Sequence, residues 1–415
     1  METRLLSSNG SDRATGYGLS SKLVRRGERL FAGWLDAPAS PGGMAQARLG
    51  VCDAASGALL QTQTLGEGID NHCGPALALD GNGRLHAMVG AHHGPFLYRY
   101  SDDPEDPGAW SAPQALGPAD TYPSLVADAG GTLHMIHRVK AERWQLWYRR
   151  RRPGADWEEP VVLAISTTPG YNHYMQSLTV GPTGNLHALF QFHFSENGVA
   201  ADCRGRAAAY LRSEDGGDTW TYDDGERPAL PLTYESARVI CDYEPDPDHH
   251  GFRIGYHTVD RDDRIWFYCS VPDAPGVLYS GGGGGGWKRL DLSALTGGLD
   301  FSGGRSSSFS QDPAGDLHLL IACPPAGTAL WYDPSMELYH LHLDPQGRRK
   351  AFRQLSDTDP DRANWLPALE QWDWARPQAC CSDGLYYMMT RGINAGGIGG
   401  DNTNAVTTEV WLGRI

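Results

Sequence analysis

Four histidines fall within the 26 residues 70-DNHCGPALALDGNGRLHAMVGAHHGP-95: His72, His86, His92 and His93. Imidazole is the side chain whose ordinary pKa lies nearest neutrality, so this density raises proton transfer as a chemistry. Suitable partners follow. Tyr122 precedes a proline at the start of an apolar run, and Arg138 comes 16 residues later. A guanidinium offers a planar fork to a carboxylate and stays charged. Histidine and tyrosine act as acid or base when their surroundings tune them.

Some of these histidines belong to the elements that must position the others. The segment 75-PALALDGNGRLHAMVGAHH-93 recurs as 123-PSLVADAGGTLHMIHRVK-140, 175-MQSLTVGPTGNLHALFQFHF-194 and 306-SSSFSQDPAGDLHLLIAC-323. Each copy has an apolar strand, a turn ending in glycine, Leu-His and a second strand. Eroded copies are 18–36, 237–257 and 376–392, which makes seven units spaced by about 50 to 70 residues. A second strand pair follows, with an aromatic strand, a polar turn and a tryptophan, as in 97-LYRYSDDPEDPGAW-110 and 146-LWYRRRRPGADW-157. In a third, Ser213 to Trp220 match the Asp-box turn of sialidase-type propellers in full. Four antiparallel strands per unit predict propeller blades. The fold expected is all-β, a seven-bladed β-propeller of four-stranded antiparallel blades. It spans 1–415 as one domain, with the C-terminal strand 408–415 closing the ring against the N-terminal blade. His86, His134, His187 and His318 share one repeat position and read as architecture.

Composition narrows the function. The formal charge of −15 argues against nucleic acid as partner, and any anionic ligand needs a local basic pocket. No apolar stretch is long enough to span a bilayer, and no secretory leader is legible, so a cytoplasmic location and no membrane partner are expected. The eight cysteines form no CxxC pair and read as buried free thiols.

Alternation along the inner strands puts His92, Arg138 and His193 at equivalent strand ends around one opening. A bulge would shift that parity and bring in His93.

The ordered set Asn71-His72, His92 or His93, Tyr122-Pro123 and Arg138 resembles the propeller polysaccharide lyases of the BNR-repeat type, the ulvan lyases and rhamnose–glucuronate lyases. The resemblance covers most of the chain as blade rhythm and is specific over about residues 70 to 140. It implies cleavage at C4 of a glucuronate or iduronate, rhamnose-linked as in ulvan-type glycans, by β-elimination to a 4,5-unsaturated uronate. An acidic carbohydrate is then the substrate, and elimination requires no cofactor. A donor must hold the carboxylate while charge builds on it, a base must reach the C5 proton and an acid must protonate O4. By resemblance His72, His92, His93, Tyr122 and Arg138 share these duties, with base and acid left open. Some ulvan lyases hold a structural zinc with closely spaced Cys and His. No such cluster is legible here, so no metal is carried over.

Further substrate contacts are expected from Asn71, His137, His173, Tyr174, His193, Arg204, Arg206, Arg238, His257 and Arg305. Arg376 and Trp365 are weaker candidates, Trp365 as a stacking platform or a core residue. Two other functions compete. One is a glycoside hydrolase of sialidase or rhamnosidase type, for which Tyr234-Glu235 is the tempting pair. The other is a non-catalytic carbohydrate-binding propeller, in which His72, His92 and Arg138 do not converge.

Overall fold

The computed structural model describes residues 3–415 except 18, 41, 173, 200–201, 244–252, 272–273, 298–305, 325–334, 381–383 and 394–406. His173 and Arg305 therefore lie outside the described residues. The fold is all-β, as expected. The one α-helix among the described residues is the short Leu292–Thr296. No helix among them is long and apolar enough to cross a membrane.

Among the described residues, twenty-eight strands form five antiparallel sheets. The first begins with β1 (Arg4–Gly10), β2 (Leu23–Arg26), β3 (Arg29–Asp36), β4 (Ala45–Asp53) and β5 (Leu59–Gly68). The second runs β6 (Pro75–Leu79), β7 (Leu85–Val89), β8 (His92–Ser101), β9 (Gln114–Ala127), β10 (Leu133–Val139), β11 (Gln145–Arg151) and β12 (Val161–Ile165). The third holds β13 (Gln176–Val180), β14 (Leu186–Phe194), β15 (Arg204–Ser213) and β16 (Val239–Asp242). The fourth holds β17 (Arg253–Ile254), β18 (Thr258–Val259), β19 (Ile265–Val271), β20 (Ala274–Gly281) and β21 (Lys288–Asp291). The fifth holds β22 (Ser306–Gln311), β23 (Leu317–Cys323), β24 (Glu337–Leu343) and β25 (Arg349–Gln354). The last three strands, β26 (Ala363–Leu369), β27 (Tyr386–Gly392) and β28 (Thr408–Arg414), return to the first sheet. There β28 pairs antiparallel with β1, so the two ends of the chain share one sheet.

The core lies between neighbouring sheets. Phe31, Leu35 and Leu49 of the first pack on Leu77, Leu79 and Val89 of the second. Ile136 and Leu146 pack on Leu178, Phe190 and Phe192 of the third. β6 and β7 are buried at every position because both faces are covered, which is why they read as apolar runs.

The repeated histidine is a buried strut. Its Nδ1 lies 2.8 Å from a tyrosine hydroxyl in three units, pairing His86 with Tyr98, His134 with Tyr148 and His187 with Tyr210. Its Nε2 faces Asp80, Asp128 and Asp263 at 3.3, 3.2 and 3.2 Å. The turn from Ser213 to Trp220 is held by Asp215, which accepts from Ser213 Oγ, Thr219 N and Thr219 Oγ1. It requires Gly217 at φ +91°, where a Cβ would meet the Tyr148 hydroxyl at 1.9 Å. The described cysteines are free thiols, and all but Cys380 are buried.

Candidate active site

The 14-residue strand β9 builds the site because it serves two hairpins. On one edge Thr121 pairs with His92 of β8, and on the other with Arg138 of β10. The register slips between Ile136 and Arg138 and between His92 and Gly94, so both strands are irregular at this point. His93 and Tyr122 take left-handed backbone angles, φ 62° and 61°. Such angles are costly for a bulky side chain and cluster at functional sites.

Asp70 anchors the cluster. Its buried carboxylate accepts from His72 Nδ1 at 2.9 Å through Oδ1 and from His92 Nδ1 at 2.5 Å through Oδ2. Burial alone would push the Asp70 carboxyl up, but the two imidazole hydrogen bonds outweigh it and hold it well below the usual carboxylate range. The two imidazoles stack with centroids 4.0 Å apart, and His93 lies 4.1 Å from His92. His72 Nε2 lies 3.2 Å from Arg13 Nη1, so both its nitrogens are engaged. His92 Nε2 has no hydrogen-bond partner among the described residues. Burial pushes His72 and His93 each down to about 3, with Arg13 opposing charge on His72 and His92 and Arg138 opposing it on His93. Both are neutral at physiological pH.

Tyr122 packs against this group, its ring 4.8 Å from Tyr17 and 5.9 Å from His72. Burial raises its hydroxyl well above the ordinary value of 10. Burial also pushes Tyr17 up to about 12, although the Arg13 guanidinium beside it works the other way. The Arg138 guanidinium lies 4.6 Å from the Tyr122 ring centroid, 4.8 Å from Trp144 and 5.5 Å from Tyr171. It is 1% exposed, and its Nε and Nη2 donors have no partner among the described residues. A buried cation with unused donors inside an aromatic box is expensive to maintain without an anionic ligand.

His72, His92, His93, Tyr122 and Arg138 thus gather in one cluster, joined by the buried Asn71, whose Nδ2 donates to Asp12 at 2.9 Å. The route to His92 differs from the alternation expected. β7 ends at Val89 and the chain reverses at Gly90–Ala91, so His92 opens the next strand and does not extend the strand of His86. The other described candidates have partners of their own. His137 faces away from Arg138, with Phe96 and Trp147 against its ring and Asp120 Oδ1 at 3.4 Å. Tyr174 is core, its hydroxyl donating to the Trp144 carbonyl. His193 is bonded to Arg253. Arg204 holds the Cys203 carbonyl, and Arg206 pairs with Asp242 and Tyr234. Arg238 makes exposed ion pairs with Asp224 and Glu226. His257 is a structural post, both nitrogens 2.6 Å from hydroxyls of Ser177 and Thr179. Arg376 pairs with Asp373, and Trp365 is buried against Ala322 and Met336. Tyr234 and Glu235 diverge, the first to Asp242 and the second to Thr167.

Asp70, Arg13, Tyr17, Trp144 and Tyr171 are the members that sequence reasoning missed. Only Asp70 left a signal, as the acidic neighbour of Asn71-His72. Two groups among the described residues have the ligand types of a metal site, Asp70–His72–His92 and Asp312–His318–His342, and neither contains a cysteine. In the first, Arg13 already supplies a cation against His72, and both imidazoles point Nδ1 at one carboxylate. That arrangement fits a proton relay.

Residues 31–292 match the family described as BNR repeat-containing family member. An ulvan lyase of Nonlabens ulvanivorans is 24% identical over 223 residues, 44% of this chain and 47% of that protein. The matched part therefore spans about half of that relative's length. The structure of an ulvan lyase bound to -[GlcA(1-4)Rha3S]- matches with a TM-score of 0.71 at 12% identity, covering 100% of this chain and 96% of that one. A crystal structure of another polysaccharide lyase matches at 0.64 and 11% identity, covering 100% and 99%. At these identities the likeness is one of fold.

Proposed function

The chain belongs to the BNR repeat-containing family, and from that premise we propose that it is a polysaccharide lyase. It cleaves a glycosidic bond at C4 of a glucuronate or iduronate by β-elimination. The strands read as seven four-stranded blades of one domain, β9 serving two of them and β28 joining β1 to close the ring.

The observation that carries this reading is the gathering of an acceptor nitrogen, a neutral phenol and a boxed guanidinium around Asp70. Asp70 fixes Nδ1–H on His92 and so leaves Nε2 as the lone-pair nitrogen that takes the C5 proton. The electron pair of the C5–H bond forms the C4–C5 double bond as the C4–O4 bond breaks. Tyr122, kept protonated by burial, donates its proton to the leaving O4. Arg138 stabilises the charge that builds on the C5 carboxylate and the phenolate left on Tyr122. Tyr171, the half-buried wall of the Arg138 box, moves aside for the carboxylate to reach the unused donors. Return of the proton from His92 to Tyr122 completes the cycle.

The test is incubation with a panel of glucuronate- and iduronate-containing glycans, with and without rhamnose. Ultraviolet absorbance of the unsaturated uronate and new reducing ends are followed together. Equal growth of both is expected. Reducing ends without the absorbance would replace the lyase by a hydrolase.

A further inference from the structure

The hairpin β23–β24 departs from the repeat in a concerted way. Directly across the strand pair from the repeated histidine stand Tyr100, Arg150 and Arg212 in three other units. The tyrosine that holds the histidine comes two residues earlier, at Tyr98, Tyr148 and Tyr210. Opposite His318 stands His342, and two residues earlier is His340. The turn differs as well. Arg84 and Thr132, four residues after Asp80 and Asp128, give way to Asp316, four residues after Asp312. Three positions have thus changed to imidazole or carboxylate together, where the other copies carry phenol, hydroxyl, amide or cation. Architecture alone asks for none of these changes.

The geometry is that of a ligand set. His318 Nε2 lies 3.4 Å from Asp312 Oδ2, and His342 Nε2 lies 2.9 Å from Asp316 Oδ2. One donor atom from each of Asp312, His318 and His342 falls within 4.8 Å of the others. Zinc bonds of about 2.0–2.1 Å in a tetrahedron set neighbouring donors roughly 3.3 Å apart, so small side-chain shifts close the set. The supporting bonds are also in place. His318 Nδ1 lies 3.0 Å from His340 Nε2, and with His340 as the acceptor of that bond His318 Nε2 is left to a metal. Asp312 Oδ1 accepts the backbone N–H groups of Ala314 and Asp316, each at 2.9 Å, which fixes the carboxylate with Oδ2 turned to the site.

We propose that Asp312, His318 and His342, with Asp316 joined through its contact to His342, form a site for a divalent transition ion of the zinc class on the rim of the fifth sheet. Two imidazoles and two carboxylates are donors such an ion accepts, and their charge balances it. The ion ties the β22–β23 turn to β24. The Lys350 ammonium, which hydrogen-bonds to Asp316 Oδ2 from a half-exposed side chain, is the internal cation that the metal displaces.

The test is titration of chelator-treated full-length protein with Zn²⁺ alone, against a chromophoric competing chelator. One equivalent is expected to bind this site. His342→Ala weakens it by at least about 100-fold, more than loss of an outer-shell partner does. Lys350→Met, which removes the competing cation and no ligand, tightens it. His92→Ala leaves it unchanged, which separates it from the Asp70 cluster. Thermal midpoints without zinc show that each variant is folded. Co²⁺ in place of zinc gives tetrahedral visible bands that His342→Ala abolishes. Wild-type protein that binds Zn²⁺ no tighter than the millimolar range would overturn the proposal. So would binding that survives His342→Ala and disappears in His92→Ala.

Discussion

The Nδ1 of His92 lies 2.5 Å from Oδ2 of Asp70, inside a carboxylate that is fully buried. A carboxylate only accepts, so this contact decides which His92 nitrogen carries the proton. Asp70→Asn puts an amide where a pure acceptor stood, and one of the two imidazoles then faces an N–H donor. Loss of tautomer control beside a catalytic imidazole costs up to about 10,000-fold in the best-known carboxylate–histidine pair. For Asp70→Asn we expect kcat to fall by roughly 100-fold or more, with KM little changed. Initial rates of unsaturated-uronate formation on a cleaved glycan measure this. A variant with normal kcat and normal pH profile would make Asp70 a structural residue only.

Arg138 and Tyr122 separate charge stabilisation from proton transfer. Arg138→Ala removes the partner of the developing carboxylate charge and costs about 100- to 1000-fold in rate. Tyr122→Phe keeps the ring on which Arg138 packs but deletes the proton, so turnover falls at least about 100-fold while affinity changes less than for Arg138→Ala. Steady-state kinetics with binding isotherms on the inactive variants compare the two. Near-normal elimination by Tyr122→Phe would sink the assignment of Tyr122 as the acid.

The legible and illegible parts of the site differ in range. The turn from Ser213 to Trp220 could be read because its hydrogen bonds close within four residues. His72, Tyr122 and Arg138 could be read as one candidate group because the resemblance rests on their order along the chain. Arg13 could not, because it meets His72 from 59 residues away in a segment with no repeat signature. Trp144 and Tyr171 look like ordinary aromatic residues until Arg138 sits between them. Alternation failed at Gly90–Ala91 because a period of two cannot register a chain reversal. It holds for His137, which as the strand neighbour of Arg138 points to the opposite face.

His187 tests the architectural reading of the repeat. It is fully buried, and both nitrogens are used, one by the Tyr210 hydroxyl and one by Asp263. His187→Ala leaves that hydroxyl and carboxylate short of a partner, for a cost of about 1–3 kcal/mol. Urea unfolding should show that loss, while activity per folded molecule stays near wild type. A variant of normal stability and low turnover would turn the repeated histidine into a functional residue.

Acid should destabilise the fold before it protonates the buried imidazoles. Burial, the largest cause in each case, pushes His72 down to about 3 and His86 down to about 4. In the unfolded chain both titrate near 6.5. Between those limits the unfolded state binds protons that the native state refuses, so stability rises with pH. The contribution of each neutral imidazole is fully present above about pH 6.5 and is lost as pH falls towards 4 and then 3, at up to about 1.4 kcal/mol per unit for each group. Asp70 adds a loss of the same sign at lower pH, because its depressed carboxyl remains charged in the native state after an unfolded aspartate has taken up its proton. The measurement is the urea midpoint from pH 7.5 to pH 4.5, in wild type and in His86→Gln. The wild-type midpoint should fall steadily with acid. The variant should start lower, because the contacts to Tyr98 and Asp80 are weakened, and should decline less steeply, because one titrating group is gone. Parallel slopes would mean that His86 already carries its proton in the native state, paired with Asp80, and that the neutral strut assigned to the repeat is wrong for this unit.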